Sequence, residues 1–247
     1  MRRVARRVSA AAVAVVGVVI VLLVVMVVEA LMARRAGTVA TPGGVDGCAG
    51  CGSPAGAPLR VAFLGDSTLA GVGASDAGGT LPRQVAARLG RPVQILDLAV
   101  SGARVADIRA DQVGAGLVGF QPEVIVIGVG SNDVIHGSSR PDFRRRYRQV
   151  VASLPPSATL ILLGIPDLGS PPRLAQPLRS LAGWRGRMLD DDVRHLARDS
   201  RARFVDLQAF GSSFRHHPRR YFAPDRYHPS DAGYGLWAGA VADAIPA

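Results

Sequence analysis

From Leu59 onward the chain alternates short apolar runs with longer amphipathic stretches. The apolar runs are 59–65 (LRVAFLG), 93–99 (VQILDLA), 123–129 (EVIVIGV), 159–165 (TLILLGI) and 202–207 (ARFVDL). Each is short and rich in Val, Ile and Leu, as a strand buried on both faces is. Stretches with helical period lie near 80–90, 102–117, 142–154, 177–200 and 229–245. Five strands alternating with helices predict an α/β fold, a mostly parallel five-stranded sheet covered by helices on both faces. Residues 59–247 are numerous enough to bury one full core.

The pattern before Leu59 is different. Val8 to Val28 is a run of 21 residues without a charge. As a helix it would be about 31 Å long, enough to span the hydrocarbon of a bilayer. Arg2, Arg3, Arg6 and Arg7 precede it, and Arg34 and Arg35 follow it beyond Glu29. The larger positive count lies on the amino-terminal side, which predicts a cytoplasmic amino terminus and an exported domain. A cleaved signal peptide is the competing reading; its apolar core is shorter, about 7–15 residues, and the best cleavage position, after Ala33, has Leu31 at −3. The length favours an uncleaved signal anchor. Residues 36–58 are rich in Gly, Ala and Pro without apolar period, the composition of a flexible linker. The expected organisation is a basic tail at 1–7, a transmembrane signal anchor at 8–28, a linker at 29–58 and a folded domain at 59–247. Cys48 and Cys51 lie in the linker, with neither the flanking elements of a redox CxxC nor the partners of a zinc site. In an oxidising compartment they suit a small local disulfide.

Charge changes little in this picture. The formal net charge is +10, and every basic residue is Arg. Residues 1–58 hold +4 of it and residues 59–247 the other +6, with Arg and acids interspersed. The densest cluster, Arg144, Arg145, Arg146 and Arg148, has no nucleic-acid signature beside it and reads as an exposed helix face. No nucleic-acid partner is expected. The membrane, through residues 8–28, is.

Parallel sheets bind ligands at the carboxyl ends of their strands. After the first run comes Gly65-Asp66-Ser67, after the second Val100-Ser101-Gly102, and after the third Gly130-Ser131-Asn132-Asp133. Beyond the fifth comes Asp225-Arg226-Tyr227-His228-Pro229. Ser67 is a hydroxyl at a strand end and needs a base to become a nucleophile. His228 is a candidate base, and Asp225, three residues earlier, can hold the other ring nitrogen. The N–H groups of Ser67 and Gly102 and the Asn132 amide are candidate donors to a developing oxyanion. Each block alone also suits a turn or a cap; their order and shared placement at strand ends favour chemistry.

This ordered set closely resembles the SGNH hydrolases, also called GDSL-type esterases and lipases. GDS at 65–67, the glycine of LAVSGA at 98–103, GSND at 130–133 and DRYHP at 225–229 carry the resemblance. It implies a flavodoxin-like three-layer α/β/α sandwich and a Ser67–His228–Asp225 triad, with Ser67, Gly102 and Asn132 forming the oxyanion hole. It also implies no metal and no organic cofactor. Thr68 stands where the older family name has Leu, and no GxSxG is present. The expected activity is hydrolysis of a small-molecule or lipid acyl ester through an acyl-enzyme. Alternatives are a carbohydrate O-acetylesterase or acyltransferase of the cell envelope, and a silent membrane-tethered binding module.

The remaining candidates have blander readings. His216 and His217 are adjacent, so they point apart and suit a loop near the cleft mouth. His136 and His195 read as exposed. Asp167 reads as a turn former at the same sheet edge, and Asp66 and Asp133 as organisers of their loops. The glycines at 71, 73, 78 and 79 lack the spacing and Lys of a phosphate loop.

Overall fold

A computed structural model describes residues 39–51 and 56–246, together with positions 15–17, 20, 24 and 25. The strands are β1 (Gly47–Ala49), β2 (Leu59–Gly65), β3 (Val93–Asp97), β4 (Val124–Gly128), β5 (Thr159–Leu163) and β6 (Arg203–Val205). They form one sheet in the order β1-β3-β2-β4-β5-β6. The five expected strands, β2 to β6, run parallel to their neighbours. The helices are α1 (Leu81–Arg88), α2 (Val105–Asp107), α3 (Ala115–Phe120), α4 (Ser131–Ile135), α5 (Arg140–Ala152), α6 (Leu178–Asp199), α7 (Gly211–His216), α8 (Pro218–Tyr221) and α9 (Asp231–Ala244).

The sheet is mixed and six-stranded, which corrects the expectation of five parallel strands. β1 comes from the stretch read as linker and pairs antiparallel with β3, Cys48 opposite Gln94. A three-residue edge strand held by backbone on one side needs no apolar period, so hydropathy does not reveal it. Other contacts fasten it. Arg83 on α1 donates to the carbonyls of Cys48, Gly44 and Asp46. The Asp46 carboxylate accepts from the Asp97 N–H at 2.5 Å. Cys48 and Cys51 are paired as a local disulfide.

The expected anchor at 8–28 falls mostly outside the described residues. Among the described residues no helix is long and apolar enough to cross a membrane.

Strand alternation sends side chains to two cores. Val61 and Phe63 of β2 face one side, with α1 and α9 (Val85, Tyr234, Val241). Ala62 and Leu64 face the other, with α2, α5 and α6 (Val105, Tyr147, Leu189). The stretch expected as one helix near 102–117 is broken. α2 passes into a π-helical segment, Ile108–Gln112, and α3 begins beyond Gly114. The break serves the sheet edge: buried Gln112 accepts from the Gly65 N–H and donates to the Gly65 carbonyl, both at 2.8 Å. It thus occupies both backbone polar groups of the residue that ends β2.

Candidate active site

Three strand ends and the loop before α9 build the site. β2 and β4 approach so closely at Gly65 that a Cβ there would strike the Gly128 carbonyl oxygen. The same closeness lets the Asp66 N–H bond the Gly128 carbonyl at 3.0 Å. Ser67 then leaves the sheet in a helical turn, where Ala70 and Val72 donate to the carbonyls of Asp66 and Ser67. Asp66 is buried and accepts from the Thr68 N–H at 2.9 Å, an Asx turn. The loop expected to be organised by Asp66 is held in this way.

Gly102 sits in the turn after β3 at φ +88°, a conformation that costs a residue with a Cβ. Asn132 lies in the first turn of α4, and its side-chain NH₂ donates to the Ala103 carbonyl at 3.0 Å. One amide hydrogen is thereby used and the second is left for another acceptor. Buried Asp133 ties the two loops together. Its carboxylate accepts from the Val105 N–H at 2.9 Å and from the Ser138 hydroxyl at 2.7 Å. The N–H groups of Ser67 and Gly102 make no hydrogen bond among the described residues.

His228 is brought back to Ser67 by the segment between α8 and α9. Pro229 bridges to Phe222, Ala223 donates to the His228 carbonyl, and Arg226 turns the chain at φ +60°. The Nε2 of His228 is 3.2 Å from the Ser67 Oγ. Its Nδ1 is 2.6 Å from Asp225 Oδ2. Asp225 Oδ1 accepts from the N–H groups of Tyr227 and His228, both at 3.0 Å. The Asp225 side chain is 1% exposed. Burial would raise its pKa, but the His228 ring and those two N–H groups outweigh it and hold the carboxyl below the usual range. A carboxylate on Nδ1 favours the tautomer whose Nε2 can accept from a hydroxyl.

Ser67, Gly102, Asn132 and His228 share one groove of about 630 Å³. Its apolar lining includes Ile135 of α4 with Leu181, Ala182 and Trp184 of α6. Among the described residues of the domain, Ile135, Leu181 and Trp184 are three of the five large apolar side chains left exposed, Trp184 at 54%. A smaller cavity of about 40 Å³ also reaches Ser67 and His228, with Asp167, Phe214 and Trp237 in its wall.

The other sequence candidates lie aside. His136 is exposed, its Nδ1 2.8 Å from the Asn132 carbonyl. His195 and His216 are exposed and bond carbonyls one helical turn back. His217 packs edge-on against Tyr221. Asp167 makes the expected turn by accepting from the Gly169 N–H, and also pairs with Arg215. No group of three metal-ligating side chains occurs among the described residues. Gln112, Arg173, Leu181 and Trp184 escaped the sequence reading. For Leu181 a signal existed, since Leu178, Leu181 and Ala182 recur at i, i+3, i+4 on one helix face.

A mixed α/β sheet whose carboxyl edge at β2, β3 and β4 gathers these side chains defines an α/β protein with a candidate site at its strand ends. A family model described as the GDSL-like Lipase/Acylhydrolase family matches residues 63–236, and the chain belongs to that family. A GDSL-like esterase of Mycobacterium tuberculosis is 29% identical over 196 residues, which cover 73% of this chain. The match spans 59% of the length of that curated relative. A lipase/acylhydrolase from Enterococcus faecalis superposes with a TM-score of 0.61 at 19% identity, covering 75% of this chain and 94% of that one. An acetylxylan esterase from Geobacillus stearothermophilus superposes at 0.57 with 23% identity, covering 79% and 97%. At such identities the superpositions speak for the fold alone.

Burial pushes the Asp66 carboxyl up to about 6 from 3.8. A raised folded-state value stabilises the fold fully below about pH 4, and that share is lost as pH rises through about 6. Asp66→Asn keeps the acceptor for Thr68 and removes the charge. The variant should show a denaturation midpoint that falls less than the wild type's between pH 4 and 6.5, by roughly 2–3 kcal/mol of unfolding free energy. Parallel wild-type and variant curves would refute the assignment.

Proposed function

We propose that the chain is a serine ester hydrolase acting on acyl esters, with Ser67 as nucleophile, His228 as general base and Asp225 as its orienting carboxylate. The observation that carries this reading is the continuous Ser67–His228–Asp225 contact chain, 3.2 Å and 2.6 Å. His228 Nε2 takes the Ser67 proton as Oγ adds to the acyl carbon. The oxyanion is met by the N–H groups of Ser67 and Gly102 and by the free amide hydrogen of Asn132. The imidazolium returns its proton to the departing alkoxide, leaving an acyl-enzyme. Water then adds to the acyl carbon, His228 takes its proton, and Ser67 leaves with that proton restored.

The apolar wall of Ile135, Leu181 and Trp184 supports an acyl chain lying in the groove. A pocket of several hundred Å³ suits a chain longer than acetyl. The charge-free run at 8–28 supports a single-pass anchor with this domain outside the cytoplasm. A full-length product in the membrane fraction, its domain open to external protease, is the expected result; a shortened soluble product would mean signal cleavage.

A fluorophosphonate probe should label the full chain and spare a folded Ser67→Ala variant; equal labelling would remove Ser67 from its role. With a series of p-nitrophenyl esters, octanoate should be preferred over acetate. Trp184→Ala should then lower kcat/KM for octanoate by about 10-fold and for acetate by less than about 3-fold, since each buried CH₂ is worth about 0.8 kcal/mol. Equal losses, or activity confined to acetylated glycan, would exclude the groove as the acyl site.

A further inference from the structure

Asp225 has a buried cationic neighbour that the triad scheme does not include. Arg173 lies in the segment between β5 and α6, and its side chain is 10% exposed. Its Nη1 is 3.9 Å from Asp225 Oδ2, the oxygen that also holds His228 Nδ1. Its backbone N–H donates to the Arg226 carbonyl at 3.1 Å, and Arg226 is the turn residue at φ +60° between Asp225 and His228. Arg173 also lines the groove shared by Ser67 and His228. The residue thus holds the Asp225–His228 loop from two directions, by backbone at the turn and by charge at the carboxylate.

A buried carboxylate and a buried guanidinium are each costly alone and stabilise one another when close. At rest, with His228 neutral, Asp225 and Arg173 form the ion pair. When the Ser67 proton reaches His228, the imidazolium shares that carboxylate with Arg173. Two cations then compete for one anion, so Arg173 disfavours the protonated ring. The other groups around this ring are Asp66 beyond β2, Tyr227 beside it and Tyr234 on α9. Asp66 acts in the opposite sense when ionised, and burial pushes both tyrosines up and keeps them neutral.

We infer that Arg173 is a positioning residue for the Asp225–His228 pair: its guanidinium holds the Asp225 carboxylate aimed at Nδ1, and it opposes protonation of His228 in the resting enzyme. This inference rests on the ester-hydrolase reading. Its test separates the two, because the backbone bond from residue 173 to Arg226 survives any side-chain change.

In the full chain, Arg173→Gln should move the acid limb of the kcat/KM profile up by about one pH unit. At pH 7 it should lower kcat by 10-fold or more while KM changes little. Arg173→Lys should leave the limb in place and recover part of the rate. A histidine NMR titration, with His228 assigned by His228→Gln, should show the same upward move without needing turnover. Should Arg173→Gln not fold, Arg173→Met keeps the aliphatic stem and reads the same limb. An unmoved limb and an unmoved His228 titration in either variant would overturn the inference. A raised KM at unchanged kcat would also overturn it and make Arg173 a substrate contact. Absence of Ser67-dependent hydrolysis in the wild type would instead strike the ester-hydrolase reading, with the titration still deciding the place of Arg173.

Discussion

The hydrogen bond from the Asp66 N–H to the Gly128 carbonyl carries the β2–β4 ladder past the last residue of β2 and sets where Ser67 leaves the sheet. It requires two strands close enough that Gly65 has no space for a side chain. On the opposite side Gln112 occupies both polar groups of Gly65. The residue before the Asp66-Ser67 turn is therefore pinned from both sides, and Ser67 inherits a fixed position. Every other group in the site is measured from that point: Gly102 from the end of β3, Asn132 from the end of β4, His228 from the loop before α9.

Buried charge is arranged around this frame with little surplus. Asp133 spends its oxygens on the Val105 N–H and Ser138, which locks the β3 and β4 loops to each other. Asp225 spends one oxygen on two backbone N–H groups and the other on His228, with Arg173 behind it. Asp66 has a single backbone bond, and burial drives its pKa upward. Asp225 is the buried acid whose pKa is held down, and it is the one in contact with the histidine. At this sheet edge the carboxyl that is held down is the one that accepts from His228 and from two backbone N–H groups.

The groove adds the dimension that motif residues lack. Its polar side comes from loops after β2, β3 and β4, and its apolar side from α4 and α6. An amphipathic helix that buries one face against the sheet leaves Leu181 and Trp184 on a second face, in the groove that Ser67 lines. Exposed apolar surface next to reactive groups has a functional reading that scattered surface leucines do not.

The sequence alone determined the parallel core and the candidate residues. Strands buried on both faces must be short and continuously apolar, and the blocks at 65–67, 102, 130–133 and 225–228 directly follow strands or close the domain. Local pattern could not reveal β1, because an edge strand of three residues is held by backbone, by Arg83 and by Asp46 rather than by hydrophobic period. It also merged α2 and α3 into one helix, since nothing near Gln112 reveals a bond to Gly65, 47 residues away. Arg173 and Trp184 were invisible as site residues for the same reason. A side chain's chemistry can be read from its type, but its partner is set by where two distant segments meet. Only the tertiary structure brings Asp225, 52 positions from Arg173 in the chain, to within 3.9 Å of it.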